Sequence, residues 1–116
     1  MRTKFITEPV FETYVRLMYD CSLDEVSRYV EKEFSHKITV KDSTYGKLIV
    51  LDDKDEVILW AKDNNMFEVI HETIHLVFFW MRFKEIPIEK STEEVFAHLQ
   101  GFYIGEIKKM FDKKKK

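Results

Sequence analysis

The chain has 116 residues, 45% hydrophobic and 34% charged, a balance that suits one compact domain and excludes a disordered or fibrous protein. The formal net charge is -2, yet six Lys crowd the last nine residues, so the remainder is acidic and a nucleic-acid-binding body is not expected. The longest apolar run, Leu76–Met81, is far too short for a membrane span, and MRTKFITEPV carries no apolar signal core. A single cysteine, Cys21, has no partner for a bridge within the chain, which points to the reducing cytoplasm.

Taken in order, Val10–Tyr19 reads as a strand, because Phe11, Thr13, Val15, Leu17 and Tyr19 alternate with more polar neighbours. Ser22 and Glu25 then form a capping box for a helix to about Phe34, with Val26, Tyr29, Val30 and Phe34 inward. Lys37–Val40, Lys47–Leu51 and Val57–Trp60 are expected as three strands, separated by turns at Tyr45-Gly46 and at Asp52–Asp55. Asp63, Asn64 and Asn65 are all possible caps, Asn65 with Glu68 as a second box, for an apolar helix from Met66 to about Phe83, which must end before Pro87. A last helix is expected from about Thr92 to Met110, with Ser91 and Glu94 as a further capping box. The order β-α-β-β-β-α-α predicts an α+β fold: one domain over 1–112, then a basic disordered tail over 113–116. Its sheet should be small and mostly antiparallel, packed with the N-terminal, apolar and C-terminal helices. Phe67, Ile70, Ile74, Phe78 and Met81 recur at helical spacing and are expected in the core.

The apolar helix contains His71-Glu72-Thr73-Ile74-His75, an HExxH pattern. Residues four apart share one helical face, so both imidazoles can reach a single metal ion. Glu72 is rotated by about 100° from His71, which keeps it off the metal but close to a water the metal would hold. Zinc brings the pKa of such a water towards neutrality, and Glu72 is placed to take its proton as general base. A third protein ligand is needed. Glu94, Glu93 and His98 on the next helix are the main candidates, with Cys21 as a remote one. Glu94 lies 19 residues after His75 and shares a stripe with Ala97, Gly101 and Gly105, small residues that would let two helices approach closely.

HETIH followed by a glutamate on the next helix resembles the zincin metallopeptidases whose third ligand is glutamate. From about Val57 to Ile107 the chain is also similar to small HExxH proteins encoded in phages and prophages, through Ile58-Leu59-Trp60, the HExxH itself and Glu94-Val95-Phe96-Ala97-His98-Leu99-Gln100-Gly101. His98 stands where that group usually has Tyr. The resemblance implies a minimal zincin-like domain with one Zn²⁺ per chain on His71, His75 and Glu94. It further implies hydrolysis of a peptide or protein amide bond, with Glu72 as base. Carried over from the wider zincins, Val57–Trp60 would be the edge along which extended peptide is added. The alternative expectation is a zinc-binding interaction or regulatory module that turns nothing over.

Overall fold

In the computed structural model, which describes residues 1–41 and 44–113, the chain is α+β, with four strands and three α-helices. In chain order these are β1 (Arg2–Glu8), β2 (Thr13–Tyr19), α1 (Leu23–Phe34), β3 (Gly46–Leu51), β4 (Glu56–Ala61), α2 (Met66–Phe83) and α3 (Glu93–Lys113). The sheet order is β1-β2-β4-β3; β2 runs parallel to β4 and the two outer pairs are antiparallel.

Strand β4 has every residue buried, because helices cover both sides of the sheet. Val57, Leu59 and Ala61 join Val15, Leu17 and the inner faces of α2 and α3, whereas Ile58 and Trp60 join Met18 and α1. Helix α1 starts where expected, with the Ser22–Glu25 capping box present, and it ends at Ser35 in a left-handed conformation. Asn65 caps α2 by accepting from the amides of Phe67 and Glu68.

Four expectations need correction. Residues 9–12 form a turn and not the start of a strand, while β1, absent from the expected order, adds an edge strand. Lys37–Val40 is not a strand. Val57–Trp60 belongs to β4, which has neighbours on both sides, so the edges are β1 and β3, with β3 the one next to β4. Of the stripe expected in the core, only Met81 is fully buried; Phe67 is 75% exposed and Ile70 42%. Helix α2 is apolar around most of its circumference, so spacing alone did not choose its inner face. Packing chose Val69, Thr73, Leu76, Val77, Trp80 and Met81. At the C-terminus, Lys113 closes α3, and the rest of the expected tail lies outside the described residues.

Helix α3 is fastened to the sheet by Leu99, Tyr103, Ile107 and Phe111, and by a buried 2.6 Å hydrogen bond between the Tyr103 and Thr13 hydroxyls. Burial pushes the Tyr103 hydroxyl pKa up, so it stays protonated throughout the neutral range. Replacing Tyr103 with Phe orphans the Thr13 hydroxyl and should cost about 1–3 kcal/mol. Urea unfolding is expected to show a lower midpoint with an unchanged slope; an unshifted midpoint would mean the bond contributes nothing.

Candidate metal and hydrolytic site

The HExxH residues sit in mid-α2, held by the face of that helix that packs on the sheet. His71 and His75 project from the opposite face into solvent, with ring centroids 5.1 Å apart and planes inclined at 71°. The His71 side chain is 59% exposed. Glu72 points sideways into the seam between α2 and β3 and is only 8% exposed. Its Oε2 lies 3.6 Å from His71 Nε2, and the Leu48 backbone of β3 pulls its pKa down slightly.

Burial pushes the Glu72 carboxyl up; His71 and His75 pull it down, Glu68 adds to the rise, and the net shift is upward. A carboxylate made more basic in this way, beside two imidazoles, is equipped to accept a proton. Gly46 makes this seam possible. A Cβ there would stand 3.1 Å from Glu72 Cγ and 3.4 Å from both Glu72 Oε2 and Glu68 Cβ.

Glu94 is not brought to this pair. It lies on the exposed face of α3 with Ala97, Gly101 and Gly105, and a Cβ at either glycine would meet nothing within 4 Å. The small-residue stripe therefore faces solvent, while α3 meets α2 through larger groups. Phe96 packs on Phe78 at 5.4 Å, and Gln100 donates to Thr73 Oγ1 at 3.0 Å. The Gln100 Oε1 is left buried without a hydrogen bond. The box expected from Ser91 and Glu94 is replaced by one in which the Glu89 amide donates to Thr92 Oγ1 and Ser91 donates to Glu89.

The other candidate ligands have separate places. Glu93 borders a cavity of about 310 Å³ beside Phe78, Met81 and Phe96, towards the C-terminal end of α2. Cys21 is half-buried; burial, reinforced by nearby Glu25, pushes its thiol up to about 11. Its carbonyl accepts from Trp60 Nε1, so the residue serves the packing of α1 on β4. Among the described residues, no group of three His, Cys, Asp or Glu is arranged to hold a metal ion. A cavity of about 710 Å³ opens near Asp20, Ser22 and Trp60; none of the HExxH residues lines it.

His98 has a partner that the sequence did not reveal. Its Nε2 lies 2.8 Å from Oε2 of Glu8, whose side chain is fully buried at the end of β1. The same carboxylate accepts from the amides of Val10 and Phe11, fixing the turn into β2. A Glu followed by Pro9 is the only local hint, and the His98 contact spans ninety residues.

Comparison with protein-family models, with curated proteins and with solved structures finds no match for this chain. Among the described residues, no helix is long and apolar enough to cross a membrane.

Two outcomes follow from these placements. Gly46→Val should lower stability by about 1–3 kcal/mol by crowding Glu72, whereas Gly101→Ala should raise it by up to about 1 kcal/mol through helix propensity. Chemical denaturation reads both; a destabilising Gly101→Ala would put the stripe back in a helix contact.

Glu8 governs acid stability. Burial raises its pKa, but the hydrogen bonds from His98, Phe11 and Val10 outweigh that and leave it lowered. With the folded value below the unfolded one, its stabilisation is full above the unfolded pKa, about 4.3. It is lost as pH falls through the folded pKa. The stability gap between wild type and Glu8→Gln, followed by thermal melts, should be widest at neutral pH and close below about pH 4. A gap that widens in acid would reverse the sign.

Proposed function

We propose that the chain is a zinc-dependent hydrolase of peptide or protein amide bonds, with His71 and His75 holding the metal and Glu72 as general base. The observation that carries this reading is the Glu72 carboxylate, buried against the free edge of β3 while its oxygen stands beside the exposed imidazole pair. Two imidazoles one helical turn apart suit zinc in donor type and in spacing. Glu94 is exposed on α3 and forms no three-ligand group with them among the described residues, so the remaining positions would be filled from elsewhere.

When bound, zinc supplies Lewis acidity, polarising a carbonyl and acidifying water. The chain's own part is local. Glu72, made more basic by burial, takes a proton and returns it to the leaving amine. In this proposal β3, the sheet edge beside Glu72, replaces β4 as the strand along which an extended peptide would lie. The same proposal puts the protein in the cytoplasm, in keeping with the free Cys21 thiol, and in the small phage-type HExxH group that its motifs resemble.

A second reading, a zinc-binding interaction module without turnover, is favoured by the position of Glu94 and by the lack, among the described residues, of a three-ligand group. Glu72→Gln separates the two. It keeps both imidazoles, so zinc measured by mass spectrometry should be retained, while cleavage of an unfolded protein substrate should fall by about 10²–10⁴-fold. Undiminished cleavage would end the hydrolase reading. Loss of zinc in a His71→Ala/His75→Ala control would tie the metal to the pair, and zinc retained by that control would remove it.

A further inference from the structure

We propose that two copies of this chain pair through the exposed face of α2 and share one zinc ion among the four imidazoles of the two His71–His75 pairs. Zinc in a closed site takes four N or S donors in a tetrahedron. One chain presents two such donors on a solvent-facing helix, and no third His, Cys, Asp or Glu joins them among the described residues. A second copy brings the missing pair, and a twofold axis makes the same face serve both partners.

The rest of that face is suited to being covered. Phe67 is three-quarters exposed and Ile70 is exposed beside it, with Ile74 and Phe78 half-buried along the same side. Apolar surface of this kind on a helix flanking a polar pair is a mark of an interaction site. Helical spacing makes the face self-complementary. In an antiparallel pair of α2 helices with the axis level with Thr73, His71 of each copy stands across from His75 of the other. Phe67 then meets Phe78 and Phe79. No Lys or Arg occurs between Phe67 and Met81, and Glu68 and Glu72 favour a cation there.

Four imidazoles leave zinc no open position, and Glu72 has nothing to act upon. The pair, which presupposes the zinc assignment above but not its hydrolytic chemistry, is thus a closed form of the same site. It yields at low protein concentration, or when excess zinc gives each chain an ion of its own.

Sedimentation velocity on the untagged full chain, stripped with chelator and titrated with zinc chloride, tests this. The expected result is a monomer without zinc, a doubling of mass near half an equivalent, and return to monomer with chelator or with zinc in large excess. His75→Ala should abolish the doubling. Phe67→Glu, at a side chain that supports no core, should weaken the pair at least tenfold while still taking up zinc; circular dichroism and melting check that it folds. Glu94→Ala should change neither zinc uptake nor pairing. A chain that binds zinc and stays monomeric at every ratio overturns the pair and leaves the zinc reading standing; a chain that binds none overturns both. Pairing that ignores zinc, or zinc uptake lost in Glu94→Ala, also overturns it.

Discussion

A strand buried along its whole length has to be covered on both faces, and β4 imposes that requirement on everything around it. Val57, Leu59 and Ala61 need α2 and α3 on one side; Ile58 and Trp60 need α1 on the other. Removing this much apolar surface from water is the dominant favourable contribution to the fold, at about 25 cal/mol per Å². Because β4 is central, β3 is left at the sheet edge beside α2, and Gly46 lets the two come within contact. The burial of Glu72, and hence the basicity of its carboxylate, follows from a packing demand made by a neighbouring strand.

The same demand orients α2. Its inner face is fixed by Val69, Leu76, Val77 and Trp80, and Trp80 is pinned further by its hydrogen bond to the Tyr14 carbonyl. Once that face is inward, His71 and His75 have no choice but to face solvent, and Phe67 and Ile70 go with them. The exposed apolar surface is therefore the remainder of a helix whose sequence is hydrophobic nearly all round.

Element boundaries were legible wherever a local cap wrote them: Ser22 with Glu25, Asn65, and the residue before Pro87. Strand β1 was not, because an edge strand that buries only Ile6 and Glu8 has little apolar pattern to read. The motif fixed the spacing of His71, Glu72 and His75, and the structure keeps their relation. Glu94 was a different kind of inference. Nineteen residues after His75 sets a position along α3 but not the rotation of that helix about its axis. Leu99, Tyr103, Ile107 and Phe111 decide the rotation by packing on the sheet, and they leave Glu94 on an exposed face. Small residues invite close approach only when larger ones do not win the contact first. Glu8 and His98 lie beyond any local reading, since their bond joins the two ends of the chain.

Two imidazoles on an open helix face differ in kind from three ligands at the bottom of a cleft. A closed cleft chooses its metal and reserves the remaining position for substrate, because the protein has already filled the others. An open pair leaves two positions to whatever arrives. In the hydrolase proposed above, water and a carbonyl would take them, beside the buried carboxylate of Glu72. If imidazoles of another copy take them, the geometry is satisfied and no chemistry results. The second outcome covers Phe67 and Ile70 as well as the metal, so burial of apolar surface adds to coordination. Under the two proposals, concentration would decide between catalysis and assembly, since forming the pair is bimolecular while proton transfer at Glu72 is not.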